Sequence, residues 1–180
     1  LPPFTLVAAT TRISLLSSPL RSRFPGGTFR LQFYSDAEIA SVLKRSAELL
    51  TVNVEAPLLE QIAKRCRATP RTANYLLKRC RDLAQLESKD LDKDIIEKTF
   101  DLLEIDTLGL TGPDRTLLLS IIEKFNGGPV GLNTMAAATG EEMATIEDVL
   151  EPYLIRQGLI ERTPRGRVAT STAYSHIKLT

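Results

Sequence analysis

The 180-residue chain is 43% hydrophobic and 25% charged, which is typical of a globular protein and excludes collagen-like and disordered chains. Its net charge of +1 hides three blocks, with net charges of +7 over residues 1–84, −10 over residues 85–151 and +4 over residues 152–180. The two basic ends are therefore the candidates for contact with an anionic partner.

Cysteine and histidine are scarce in this sequence. Cys66 and Cys80 both fall within helical patterns, so we expect buried thiols in a reducing compartment rather than a disulfide. With His176 as the single histidine, no metal site is expected. No apolar run approaches the length of a membrane span and no signal peptide is visible, so the predicted location is the cytoplasm.

The first 34 residues contain two strand-like segments. Residues 4–9 form an apolar run that predicts a buried strand, and residues 29–34 alternate apolar and polar side chains as a half-buried strand does. A turn is predicted between them at residues 25–27. Because an unpaired apolar strand is a liability, residues 4–9 should belong to a sheet whose other strands are not found in this sequence. We therefore expect the chain to be the C-terminal part of a longer protein.

Helical periodicity begins at Ser35. Ser35 and Glu38 form a capping-box pattern ahead of the first of several helices, which together predict a small helical domain. A second helix is predicted over residues 57–67. A third is predicted up to residue 87, with Thr69 as N-cap and Pro70 as its first residue, and a fourth begins at about Asp92.

The sequence after a predicted linker at residues 108–113 has the order of a winged-helix domain. That order is three helices followed by a two-stranded hairpin, the wing. The helices are predicted over residues 114–125, 132–138 and 144–157, with a glycine-rich break at residues 127–131 and a bend at Pro152.

The predicted hairpin carries three arginines in the run Arg162-Thr-Pro-Arg-Gly-Arg167. Pro164 and Gly166 suit a tight turn. Three cations on one exposed loop repel each other unless an anion lies opposite, and a nucleic-acid backbone meets that requirement. From the loop alone, a solvated basic hairpin without a ligand is the alternative, and winged helices also bind proteins. The helices that precede the hairpin, together with its density of arginines, favour nucleic acid.

A set of short strings occurs in a fixed order along the chain. They are Leu1-Pro-Pro-Phe-Thr-Leu6 with residues 9–12, Ser18-Pro-Leu-Arg-Ser-Arg-Phe24, Thr69-Pro-Arg71, Gly127-Gly-Pro-Val-Gly-Leu132, Glu147-Asp-Val-Leu-Glu-Pro-Tyr-Leu154 and residues 162–167. As a set they closely resemble the RuvB family, the bacterial Holliday-junction branch-migration motors of the AAA+ ATPase superfamily. The resemblance implies a mostly α chain: the end of an AAA+ α/β core at residues 1–34, a helical AAA+ lid domain at 35–106 and a winged-helix DNA-binding domain at 107–180.

The resemblance also implies roles in ATP hydrolysis. Thr11 falls at the sensor-1 position, which helps to position the attacking water. Arg23 matches the arginine finger that enters the ATP site of the neighbouring subunit, and Arg21 is the nearby alternative. Tyr34 falls where the family contacts the nucleotide near its adenine, and Arg71 matches sensor 2, which reaches the γ-phosphate.

The wing and the partners follow from the same resemblance. Arg162 and Arg167 match the DNA-contacting arginines of the family, and we add Arg165 to them, with contacts to phosphate and little reading of sequence. The implied partners are duplex DNA at four-way junctions, further copies of the chain in a hexameric ring, and the proteins RuvA and RuvC. The implied cofactor is ATP or ADP with Mg²⁺, and the implied activity is that of an ATP-hydrolysing DNA helicase or translocase.

The chain departs from the family pattern at several positions, none of which removes a named role, and it lacks two motifs of the family. Ala68 stands where the family usually has glycine, directly before Thr69. The sequence also has no glycine-rich phosphate loop ending in Lys-Thr or Lys-Ser and no Asp-Glu pair for Mg²⁺, so these 180 residues are not expected to hydrolyse ATP by themselves. The alternatives are a stand-alone winged-helix DNA-binding regulator with a helical sensor domain, and a clamp-loader-like AAA+ subunit.

Overall fold

The computed structural model describes residues 2–177, which divide into two units with the boundary between Gln32 and Phe33. In the described part of the first unit, the regular elements are a 3₁₀ turn at Ile13–Leu15 and a short helix, α1, at Ser18–Arg21. The predicted turn is present at Pro25 and Gly26.

The two strands predicted before the helical domain are wrong. Residues 4–9 and 29–34 have no strand conformation, and their apolar side chains lie in solvent, with Val7 86% and Leu31 90% exposed. A strand is stabilised by a hydrogen-bonded neighbour and a buried face, and within residues 2–177 no other strand lies beside either segment. Their apolar pattern therefore has no partner here to pack against.

Four helices surround one hydrophobic core in the predicted lid region. Phe100, Ile39 and Ile62 are fully buried there, and each such side chain contributes roughly 1.5–3 kcal/mol to stability. All the helices predicted for this region are confirmed, with ends shifted by one or two residues. They are α2 at Asp36–Leu49, α3 at Ala56–Arg65, α4 at Pro70–Glu87 and α5 at Lys93–Leu102.

The first turns of α2 and α4 differ in how their backbone N–H groups are satisfied. The capping box of α2 is confirmed: the Glu38 N–H donates to Ser35 Oγ at 3.3 Å, and the Ser35 N–H donates to Glu38 Oε2 at 2.8 Å. Thr69 occupies the N-cap position of α4 as predicted, but its hydroxyl donates to Thr72 Oγ1 at 2.8 Å. The Thr69 hydroxyl accepts no hydrogen bond from the first N–H groups of α4, so it does not cap them.

The region from Gly112 to Ile177 is a winged helix, as predicted. Pro152 cannot donate a backbone hydrogen bond, and a π-helical turn lies just before it, where a bend was predicted. The final helix was not predicted. The elements are α6 at Gly112–Leu119 with a π-helical turn at Ser120–Lys124, α7 at Leu132–Thr139, α8 at Met143–Thr145, a π-helical turn at Ile146–Leu150, α9 at Glu151–Arg156, β1 at Ile160–Thr163, β2 at Gly166–Ala169 and α10 at Ser171–Ile177.

The lid and the winged helix are packed against each other within the second unit. The Arg67 guanidinium donates to the buried carboxylate of Asp114 at 2.8 Å and lies 4.1 Å from the centre of the Tyr153 ring. At Gly109, a Cβ would come within 2.7 Å of the Arg65 carbonyl oxygen, so glycine permits the close approach. The predicted linker is therefore part of a packed joint.

Residues 2–177 contain neither a membrane-spanning helix nor a metal-binding cluster. No helix there combines the length and apolar character needed to cross a bilayer. No three His, Cys, Asp or Glu side chains in that range are grouped so as to hold a metal ion. Cys66 and Cys80 are buried free thiols, as predicted, and burial raises the pKa of Cys80 to about 11.

Candidate nucleic-acid interface

The wing is a hairpin with a two-residue turn. β1 and β2 pair antiparallel with Arg162 opposite Arg167, and the turn consists of Pro164 and Arg165. Only Arg165 of the three predicted DNA-contacting arginines therefore lies at the tip. The other two are cross-strand neighbours on one face of the hairpin.

The base of the hairpin is bonded to the glycine-rich segment that precedes α7. The Val130 N–H donates to the Arg167 carbonyl oxygen at 2.9 Å, and the Arg167 N–H donates to the Val130 carbonyl oxygen at 2.8 Å. Gly166 has φ 136°, and a Cβ there would lie 2.4 Å from the Val130 carbonyl oxygen. Glycine is therefore required at this position for the segment to approach the hairpin.

A single buried carboxylate lies between the two cross-strand arginines. Glu151 Oε1 accepts from Arg162 Nε at 2.5 Å and from Arg167 Nε at 2.9 Å. Its Oε2 accepts from the Nη2 groups of the same two arginines at 3.0 and 2.9 Å. Each guanidinium thus grips the carboxylate with a two-bond fork, and both are fixed in direction. We call Glu151, Arg162 and Arg167 the wing cluster.

The wing cluster is charged at neutral pH. Burial alone would raise the pKa of Glu151, but the hydrogen bonds from Arg162 and Arg167 outweigh it and hold that pKa below its ordinary range. The hydrogen bond to Glu151 also raises the pKa of Arg162. With two cations and one anion, the cluster keeps a net positive charge.

The premise that the three arginines need an external anion is corrected by this geometry. For Arg162 and Arg167 the opposing anion is Glu151, whose side chain is 0% exposed. The two arginines differ in access to solvent, because the Arg162 side chain is 50% exposed and that of Arg167 is 14% exposed. Arg162 Nη2 also contacts Glu147 Oε1 at 3.3 Å, at the outer rim of the cluster.

Arg71 and Tyr34, predicted to face a nucleotide, lie in the lid region. Arg71 is exposed in the first turn of α4, which contains no acidic residue, and its side chain forms no ion pair with any residue between 2 and 177. With the uncapped N–H groups beside it, the start of α4 is electropositive. Tyr34 is 47% exposed, directly before the N-cap of α2.

Thr11 and Arg23 lie in the first unit, where both are exposed. Arg21 is exposed as well, so the alternative between Arg21 and Arg23 stays open. Residues 1–34 contain four arginines and no acidic residue, which makes this segment strongly basic.

Comparison with known proteins decides the family. The family model described as the RuvB AAA lid domain matches residues 34–106, and that of the RuvB C-terminal winged helix domain matches residues 107–178. The Holliday junction branch migration complex subunit RuvB of Koribacter versatilis (strain Ellin345) is 53% identical over 178 residues, which are 98% of this chain and 49% of that protein. The chain belongs to the RuvB family.

Solved RuvB structures have the same fold. The Thermotoga maritima RuvB Holliday junction branch migration motor matches with a TM-score of 0.88 at 50% identity, over 98% of this chain and 59% of that chain. A substituted variant of the same protein matches with a TM-score of 0.87. In length, the chain spans about half of the Koribacter RuvB protein. The predicted family, the mostly helical class, the lid and the winged helix are confirmed, whereas the site residues stay predictions.

Sequence reasoning missed two acidic residues of this RuvB-family wing. Glu147 and Glu151 lie four residues apart, one helical turn, on the segment that precedes the hairpin. The signal for them is an acidic pair at helical spacing followed by arginines at opposed hairpin positions. Neither feature alone specifies an ion pair.

Proposed function

We propose that this RuvB-family chain supplies the lid and DNA-binding domains of an ATP-dependent DNA translocase that drives Holliday junction branch migration in recombination and repair. The observation that carries the proposal is the 53% identity, over 98% of the chain, to a protein named Holliday junction branch migration complex subunit RuvB. The proposed division is a core end at residues 1–34, a lid at 35–106 and a DNA-binding winged helix at 107–180.

On the DNA side, Arg165 and the exposed half of Arg162 contact phosphates, while Arg167 contributes mainly by holding the hairpin. The fixed direction of Arg162 and its exposure support this assignment. The helical segment before the hairpin is a poor candidate for the DNA groove, because its exposed Glu147 and Asp148 would oppose phosphates. Contacts to phosphate without base reading suit a motor that slides over any sequence.

On the ATP side, Arg71 reaches the γ-phosphate and Tyr34 lies near the adenine. The electropositive start of α4 and the exposed tyrosine ring fit those two parts of a nucleotide. Arg23 acts on the ATP of a neighbouring copy, and Thr11 positions the attacking water. ATP with Mg²⁺ supplies the phosphoryl-transfer chemistry. Because these 180 residues contain no phosphate loop, we infer that they do not hydrolyse ATP alone.

The proposal includes partners and a location. The arginine finger of the proposed motor acts in trans, so Arg23 requires an adjacent copy, and a hexameric ring around duplex DNA meets that requirement. Four-way junction DNA, RuvA and RuvC are the further proposed partners, and the cytoplasm is the proposed location.

A chimera tests the proposal. This chain replaces the matching half of the Koribacter RuvB, and ATP hydrolysis and migration of a synthetic four-way junction are measured. The chimera should migrate the junction, and Arg23→Ala should abolish hydrolysis while nucleotide binding persists; Arg21→Ala serves as the matched control and separates the two finger candidates.

A folded, ATP-binding chimera that neither hydrolyses ATP nor moves the junction would overturn the motor function. Selective binding of the chain to one duplex sequence would instead support the regulator alternative.

A further inference from the structure

Glu147 and Glu151 contact the same arginine in different environments. Glu151 is fully buried and holds Arg162 through two hydrogen bonds. Glu147 is 50% exposed and touches Arg162 through one longer contact, 3.3 Å from Nη2. The first contact belongs to the interior of the domain and the second to its surface.

The two contacts differ in how easily another anion replaces them. Breaking a buried pair leaves an uncompensated charge, which is strongly unfavourable. An exposed pair between flexible side chains is close to neutral in free energy, because water and salt compete with it. An incoming phosphate can therefore replace Glu147 while Glu151 stays bound.

The donors of Arg162 allow that exchange. Its Nε and Nη2 groups donate to Glu151, and Nη2 also reaches Glu147. The Nη1 group makes no hydrogen bond to any residue between 2 and 177 that would have to be broken first. Since a guanidinium offers five N–H donors, a phosphate can bind the Nη1 and Nη2 edge without disturbing the fork to Glu151.

We propose that Glu147 is a displaceable counterion of the wing. In the DNA-free protein it lies against the solvent-facing side of Arg162, and a DNA phosphate takes its place when the wing binds. This inference rests on the proposed DNA contact at the wing. The displaced carboxylate remains near the phosphate and repels it, so Glu147 weakens the grip of the wing and favours release during sliding.

A charge-matched pair of variants of the 180-residue chain tests the inference. Binding to a fluorescent duplex is measured by anisotropy at several salt concentrations for Glu147→Gln and for Glu142→Gln, an exposed residue at the N-cap of α8. Both variants remove one negative charge. We expect Glu147→Gln to tighten binding by about threefold to fivefold more than the control, a gain that shrinks as salt rises.

The same gain should disappear when Arg162 is replaced. Glu147→Gln is therefore combined with Arg162→Ala, and with Arg162→Gln if thermal unfolding shows that the alanine variant does not fold. Equal effects of Glu147→Gln and Glu142→Gln, or a gain that survives without Arg162, would overturn the inference. If neither Arg162→Ala nor Arg165→Ala weakens DNA binding, the proposed wing contact itself fails, which is a distinct result.

Discussion

Arg67 and Asp114 join the lid to the winged helix through an ion pair of 2.8 Å in which the carboxylate is fully buried. Asp114 also caps α6, because its Oδ2 accepts from the Thr111 N–H at 2.8 Å and from the Thr111 hydroxyl at 2.6 Å. Arg67 lies four residues before Arg71. The proposed nucleotide-facing end of α4 and the winged helix therefore meet at one joint.

Replacing Asp114 should destabilise this joint. Asp114→Ala leaves Arg67 without its partner and removes the α6 cap, so we expect a loss of about 3 kcal/mol in the free energy of unfolding. Chemical denaturation measures the loss, with Asp101→Ala on the exposed face of α5 as the control. Equal stability of the two variants would contradict the role of the ion pair.

Glycine at position 68 should stabilise the protein. Ala68 has φ 54°, in the left-handed region, where a residue with a Cβ is disfavoured by roughly 1–2 kcal/mol. Its methyl group is buried, and losing it costs about 0.8 kcal/mol. The first effect is the larger, so Ala68→Gly should raise the free energy of unfolding by about 0.5 kcal/mol.

The comparison variant for Ala68→Gly is Ala73→Gly, a buried position within α4. There the backbone is helical, so glycine should lower stability by about 1 kcal/mol. If thermal unfolding shows that Ala68→Gly and Ala73→Gly both lower stability, that result would argue against strain at Ala68.

Stability at low pH should depend on Glu151. Because its folded-state pKa is depressed, its stabilising effect is fully present above the unfolded-state pKa of about 4.3 and is lost as pH falls through the lower folded-state value. Glu151→Gln should lower the free energy of unfolding at neutral pH by about 3 kcal/mol. Below pH of about 4, the free energy of unfolding of this variant should decrease less steeply with falling pH than that of the unsubstituted protein. Urea unfolding at neutral and acid pH measures both effects, and an unchanged acid dependence would refute this assignment.

Arg165 and Arg167 should respond differently to removal. Arg165→Ala removes an exposed turn cation, so the slope of log affinity against log salt for duplex DNA should fall by about one with stability unchanged. Arg167→Ala leaves part of Glu151 unpaired and should lower stability by about 2 kcal/mol. If Arg165→Ala unfolds the chain or Arg167→Ala does not weaken it, this division of roles is wrong.

Local sequence signals predicted most of the helices. The Ser35 and Glu38 pair fixed the start of α2 because both hydrogen bonds lie within one turn. The hairpin was equally accessible, since Pro164 and Gly166 mark its turn. Thr69 marked the start of α4, but its hydroxyl bonds to the Thr72 side chain. The sequence does not show which way the Thr69 side chain points, so this partner could not be predicted.

Features that depend on distant residues were missed or mistaken. Residues 4–9 have an apolar strand pattern, yet a strand forms only when another strand lies beside it. Glu151 holds arginines 11 and 16 residues further along the chain, and only the folded hairpin brings all three together. The positive charge of the wing was therefore predicted from the sequence, while its partial compensation by Glu151 was not.

The bridge between Val130 and Arg167 has a mechanical consequence. The N–H and C=O groups of Arg167 both bond to Val130 on one edge of β2, and the neighbouring Gly166 and Val168 pair with β1 on the other edge, so the hairpin is held on both sides at its base. We therefore expect the wing to move as one body with the rest of the winged helix. In the proposed motor, we therefore expect Arg165 to move along DNA only when the whole winged helix moves relative to the lid, at the joint beside Arg67.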